Sequence, residues 1–439
     1  MNALPYGLGM RGIGTWSEDL RPKTPREGML FLYPNGKLPL TAITGMLQSK
    51  PAKDPMFSWW SKGFPMQGGA VSGVYNDNTM LSAYTAGANA AGKILYVKVA
   101  ADVAKEFRSG HVAELRTSGS NAVACAGHVV GVLVNGNNSC ITLSTIEATV
   151  ADTSGPNPVD ADYITIIGNA VPEGGSIPNA VNYNPVRMYN YVQQFWTPYE
   201  ISTMAEDTEF YFGDALKEEK REKFELHGIE MEKAYLFGRR LETTDIATGR
   251  PIWYTMGVIP MIRTYAPQNI RSFHTSTDPR FKGKTWREAG KLWLDVTLEE
   301  IGRYMSNEML ALCGTGAMVG IAQLAEYNSE IQLRPGNIAY GITVTEWNHP
   351  TVPPLLFKTH PLFSLTDNYR WTVVLLDTRN IVERYTRQTR VTRDNLQQDG
   401  GPAASLARKE GWLTVAGLEF HHPETFAILD GIGLDNTMS

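Results

Sequence analysis

Gly314, Gly316 and Gly320 stand between an apolar run and a helix-forming one, in the string Gly-Thr-Gly-Ala-Met-Val-Gly. Backbone amides freed at such a turn can cradle phosphate. The dinucleotide fingerprint, however, needs glycine where Val319 stands, and no Gly-Lys-Ser/Thr follows. The reading is a tight structural turn. Cys125 and His128, with His111 and Cys140 nearby, offer zinc-type donors. Their spacing matches no finger and they fall on separate strand signals, so they read as buried thiols and strand histidines. His421 and His422 are adjacent on a strand pattern, where neighbouring side chains diverge, and Pro423 ends the run. Arg384, Arg387, Arg390 and Arg393 recur every third residue, flanked by Glu383 and Asp394. On an extended segment they could grip phosphate or a neighbour's carboxylates, or form a solvated face with local ion pairs. The chain carries no G-x-S-x-G elbow, no H-E-x-x-H and no recognisable carboxylate pair. No residue is assigned a catalytic, cofactor-binding or metal-ligating role.

Several elements would have to position these groups. The clearest is Asp214 to Gly238: eight of the nine residues from Lys217 to Glu225 are charged, and Gly238 stands where helices end. Asp214 is the expected N-cap. About 24 residues give a helix of roughly 36 Å. Phe224, Gly228, Met231 and Tyr235 form its expected buried stripe, and Glu219 and Lys223 its favourable i,i+4 pair. A second helix starts at Thr285, with Glu288 completing a capping box and Trp286, Ala289, Trp293 and Val296 on its buried side. Met309 to Leu312 reads as a buried strand, followed by the Gly314 turn and a helix from Ala317 to Tyr327. The closing part returns to strands at Trp371 to Leu376 and Trp412 to Phe420.

Upstream the signals are extended. Pro5, Pro22, Pro25, Pro34, Pro39, Pro51 and Pro55 exclude a long helix, and Tyr33-Pro34-Asn35-Gly36 is a turn. Leu30, Phe31, Leu32, Leu38, Leu40, Trp59 and Trp60 are too apolar for a free tail. From about 70 to 195 the pattern is β. Candidate strands are Ile94 to Val99, a hairpin of Val129 to Val134 with Cys140 to Leu143, and Tyr163 to Ile167. There is no internal repeat.

Composition bounds the class. With 439 residues, 43% hydrophobic and 19% charged, the chain is globular and long enough for two or more lobes. Forty-one glycines and twenty-five prolines imply many turns. A net charge of -5 and a pI near 6.0 argue against a dedicated nucleic-acid binder and a polybasic membrane anchor. Three cysteines make no disulfide framework and read as free thiols in a reducing cytosol. No signal peptide is evident, and no run of about 18 apolar residues exists to span a membrane.

The order of these parts resembles the tailed-phage major capsid (major head) proteins of the Hong Kong 97 type. Gly36 to Ala42, with Phe57, Trp59 and Trp60, is similar to that family's arm. Ile167 to Ala170 with Glu173-Gly174-Gly175 is similar to the end of its β extension. Glu230 to Arg240, then Gly249-Arg250-Pro251 and Thr255-Met256-Gly257, resembles its spine helix and the segment after it. Leu376-Asp377, Arg384-Tyr385, Gly411 to Glu419 and Pro423-Glu424 resemble its closing strands.

The resemblance implies an α+β, Hong Kong 97-like capsid fold. Its parts are an N-terminal arm (1–60), a β-rich extended loop region (61–195), a peripheral domain with the spine helix (196–265), an α/β axial domain (266–370) and closing strands returning to the peripheral domain (371–439). It implies a non-enzymatic subunit that assembles as hexamers and pentamers into an icosahedral shell enclosing double-stranded phage DNA without sequence-specific binding. Portal, scaffold and decoration proteins are further implied partners; membranes and cofactors are not. The location would be the virion, after assembly in the host bacterial cytoplasm. An arm and β extension unable to bury their own apolar faces would need neighbours to do so. The alternatives are an encapsulin-like cellular compartment and a nucleotide-binding enzyme built on the Gly314 turn.

Overall fold

The computed structural model describes residues 49–63, 67–117, 123–149, 157–174, 179–208, 214–305, 308–327, 333–339, 342–349, 352–365, 367–393 and 407–438. The prolines and apolar residues expected to form most of the arm, and the Tyr33 turn, lie outside these. Contacts divide the chain into two units, residues 60–187 and the remainder.

The remainder begins with β1 (Ser49–Pro51) and β2 (Met56–Ser61). The inserted unit then supplies β3 (Gly68–Tyr75), β4 (Ile94–Val99), the short helix α1 (Ala101–Ala104), β5 (His111–Arg116), β6 (Val123–Leu133), β7 (Cys140–Thr145) and β8 (Tyr163–Asn169). These strands form a closed barrel in the order β3-β4-β7-β6-β5-β8. All its pairings are antiparallel, and Gly68 pairing with Thr165 shuts it. The expected strand at 94–99 and the hairpin across 135–139 are both present. The expectation that this region cannot bury its own apolar faces is overturned. Leu95, Val97, Leu115, Ile141, Leu143 and Ile164 turn inward and are fully buried. Closure also removes the sheet edges that would otherwise seek partners.

The chain re-enters the larger unit through β9 (Val186–Tyr191) and β10 (Gln193–Ser202), then α2 (Thr203–Glu206) and the long helix α3 (Ala215–Phe237). Asp214 caps α3 as expected, its carboxylate accepting from the amides of Leu216 and Lys217 at 3.0 and 3.2 Å. At the far end the Gly238 amide donates to Ala234 O at 2.8 Å. A side chain there would clash, since a Cβ would lie 2.6 Å from Thr255 O. The hairpin β11 (Leu241–Thr244) and β12 (Pro251–Tyr254), helix α4 (Val258–Tyr265) and β13 (Ile270–Ser272) follow.

Next come α5 (Trp286–Gly302), β14 (Met309–Cys313) and α6 (Thr315–Tyr327). The Thr285–Glu288 capping box is formed. Helix α6 begins two residues before its expected start at Ala317, so only Gly314 remains as the turn. Then follow β15 (Leu333–Ala339), β16 (Ile342–Trp347), β17 (Leu355–Thr359), α7 (Pro361–Leu365), β18 (Val373–Leu376), β19 (Ile381–Arg393), β20 (Ala407–Phe420) and β21 (Ala427–Asp430).

Two main sheets organise this unit. Seven strands run in the order β13-β21-β18-β14-β17-β16-β15. Every residue of β14 is buried, because both faces are covered. Met309, Ala311 and Cys313 face a core with Trp286, Trp293 and Leu298 of α5 and Ile321 and Leu324 of α6. Leu310 and Leu312 face a second core with Met231, Tyr235 and Leu236 of α3 and Ile259 and Ile262 of α4. The other sheet has the order β1-β19-β20-β10, parallel only between β1 and β19.

Candidate functional site

Helix α3 is fixed to the four-stranded sheet by polar bolts. Its buried side is His227, Met231, Glu232, Tyr235 and Leu236. Phe224 and Gly228 of the expected stripe are not in it; Phe224 is half exposed and packs its ring on Trp412 at 4.8 Å. His227 joins Thr197 Oγ1 through Nδ1 at 2.9 Å and Thr414 Oγ1 through Nε2 at 2.8 Å, one strand on each side. Burial lowers its pKa, with Glu230 opposing, so the neutral ring is favoured.

Glu232 and His360 are both fully sealed from solvent and meet at 2.8 Å. His360 Nδ1 accepts the Leu362 amide at 3.1 Å, which leaves Nε2 as the N–H that donates to Glu232. Tyr235 donates to Glu383 at 3.1 Å. Burial, then the charge of Glu383, raises the phenol pKa well above its usual range.

Glu410 is almost wholly buried on β20. It accepts from Tyr199 Oη at 2.5 Å and Arg408 Nε at 2.8 Å, and pairs with Lys220 Nζ at 3.1 Å. Burial alone would raise its pKa; the Tyr199, Lys220 and Arg408 contacts prevail and bring it down to about 2. Trp412 adds an indole bond to Lys220 O at 3.0 Å. The arrangement makes one rigid plate of helix and sheet. The Glu219–Lys223 pair lies at 3.5 Å on the helix flank, where such pairs contribute little.

The groups with chemical potential are held apart. A Cβ on Gly314 would lie 2.3 Å from Arg370 O, and one on Gly316 would lie 2.7 Å from the Trp371 ring. The Gly314 amide donates to Thr372 O and that of Ala317 to Arg370 O. The glycines therefore serve close packing, and those amides face the chain itself. Cys125 and Cys313 are buried and pushed up to about 11 and about 12 respectively, which keeps them as thiols. His111 contacts Arg108 Nε at 3.0 Å, and His128 contacts Ala170 O at 3.1 Å. Among the described residues no three His, Cys, Asp or Glu groups converge as metal ligands. His421 pairs with Glu419 at 2.6 Å, while His422 takes a left-handed turn with φ 48° before Pro423.

The arginines of β19 divide. Arg384 pairs with Glu419, while Arg387 and Arg390 stand exposed. The side chain of Arg393 lies outside the described residues. The sequence reading missed the buried network of His227, Glu232, His360 and Glu410. A glutamate and a histidine inside an apolar helix face were its only local signals.

Exposed apolar residues mark the surface. Ile246 at the tip of the β11–β12 hairpin is 103% exposed, and Leu81 on the turn after β3 is 88% exposed. Both sit on turns braced by aspartate: Asp245 accepts the Ala247 and Thr248 amides, and Asp77 those of Leu81 and Ser82.

The capsid of a native GTA particle covers 95% of this chain and 98% of its own, with 9% identity and a TM-score of 0.43. The Mycobacterium phage Bobi structure covers 94% and 96%, with 8% identity and a TM-score of 0.42. The major capsid protein of Pseudomonas phage PaMx41 is 24% identical over 428 residues, 94% of this chain and 93% of that protein. The family model of the SU10 major capsid protein matches residues 28–433, across both structural units, and the chain belongs to that family of phage major capsid proteins.

Proposed function

We propose that the chain assembles, as hexamers and pentamers of itself, into an icosahedral shell enclosing double-stranded DNA, and catalyses no reaction. The family match over residues 28–433 carries this reading. The apolar residues held in water on braced turns, such as Ile246 and Leu81, support it, because a lone subunit gains nothing from keeping them exposed. Residues 1–60 act as the arm that reaches neighbours, and 61–195 as the extended region. Residues 196–265 with 371–439 form the peripheral part, stiffened by α3, and 266–370 form the axial part. Each subunit then sums several modest heterologous contacts that close into rings. Portal, scaffold and decoration proteins are the expected further partners. The place of action is the virion, after assembly in the bacterial cytoplasm.

Deleting residues 1–50 tests the arm. The expected product is a soluble subunit that forms no closed shells; particles of normal size from the deletion would contradict the reading. Shells whose contents are protein and not nucleic acid would move the chain to a cargo compartment.

A further inference from the structure

The register of β19 on β20 aligns a row of cations. Arg384, Arg387 and Arg390 pair with Gly417, Val415 and Leu413. The partners alternate, so the three arginines share one face of the sheet. Spacing by three on a regular strand would send Arg387 to the opposite face from Arg384. The register shifts between Tyr385 and Arg387 and between Arg387 and Arg390 correct this, one extra residue at each.

This face is the one turned away from α3. Strand β10 buries Phe195, Thr197 and Tyr199 and leaves Trp196 59% exposed. Trp196 pairs with Leu413, which Arg390 pairs from the other side. Its indole lies over Gly411, where a Cβ would meet Nε1 at 2.4 Å. Lys50 on β1 pairs with Arg384 and extends the row. The carboxylates on this face are already engaged: Glu419 with Arg384, and Glu200 with Lys409 at 3.2 Å. Arg387, Arg390 and Lys50 make no ion pair with a described residue.

We propose that this face binds the phosphodiester backbone of nucleic acid, laid across the strands. Alternate residues of a strand stand about 6.8 Å apart, so successive guanidiniums present a line of bidentate phosphate donors. The exposed indole beside them offers an apolar surface for the sugars of the backbone. An acidic peptide added as a further strand fits less well. The bulges that align the arginines also distort the edge that strand addition would need. The contact is local and weak, which agrees with a chain of net charge -5. The proposal rests on the shell reading only for the source of the polyanion.

The test is anisotropy of a labelled DNA duplex titrated with the full chain across a salt series. Three free cations predict a slope of log K against log salt of about -2 to -3. The double variant Arg387→Ala with Arg390→Ala flattens that slope by about 2 and weakens binding about tenfold for each cation removed. Lysine at both positions retains the slope. No salt-dependent binding, or a slope unchanged in the alanine variant, overturns the proposal. So does a poly-glutamate peptide that binds more tightly than DNA in the same salt, which would make the face a protein-docking site. A chain that assembles into shells and binds no DNA sinks this inference and leaves the shell reading standing.

Discussion

The barrel of residues 60–187 and the helix-braced sheet of the larger unit solve the same problem by opposite means. The barrel closes its sheet, so every strand has two neighbours and the interior is apolar. The four-stranded sheet keeps its outer strands β1 and β10 and is stiffened by α3 through buried polar pairs: His227 between two threonines, Tyr235 with Glu383, and Lys220 with Glu410. Glu232 with His360 ties the same helix to the end of β17 in the seven-stranded sheet. A closed apolar barrel tolerates local loss gradually, since a cavity costs in proportion to its volume. A buried hydrogen-bonded polar pair fails steeply, because the surviving partner is left with neither solvent nor a hydrogen-bond partner. The polar brace fixes one geometry of helix on sheet, which a tile that must match its neighbours requires.

The largest expected effect breaks the brace. Glu232→Ala leaves the His360 Nε2–H sealed without its acceptor and opens a cavity beside it, and lowers stability by about 3–5 kcal/mol. Hydrogen exchange then shows α3 and β17 amides losing protection while those of β4 and β7 keep theirs; loss in β4 and β7 as well would show that the barrel core is not separate. Leu143→Ala makes the converse cut, at about 2–5 kcal/mol, read as lost protection confined to the barrel strands.

Glu410 adds a pH dependence to the brace. Its carboxyl ordinarily titrates near 4.5 and here lies at about 2, so its contribution is present above pH 4.5 and disappears as pH falls toward 2. Glu410→Gln flattens the acid limb of the stability curve over that window, and an unchanged limb would show that the carboxylate is not held by its partners. The smallest effect is at the cap. Asp214→Ala removes the acceptor for two amides and costs about 1 kcal/mol, measured by denaturant midpoint.

Local signals were legible in the sequence and distant ones were not. The Asp214 cap, the Thr285–Glu288 box, the β6–β7 hairpin and the buried β14 strand each depend on residues a few positions apart, and each formed as read. Barrel closure depends on Gly68 meeting Thr165, which no window of sequence shows. The burial of Glu232 depends on His360, 128 positions away, which supplies its partner. The arginine row was visible as a spacing, but its single face depends on two bulges that only the register against β20 defines. The resemblance rests on the order of elements, and the family match over residues 28–433 agrees with it.

Electron microscopy of the purified protein shows whether the chain is a shell subunit. Closed particles or rings of uniform size at neutral pH are the expected result. A stable monomer that forms neither, alone or with a lysate of phage-infected cells, would contradict it.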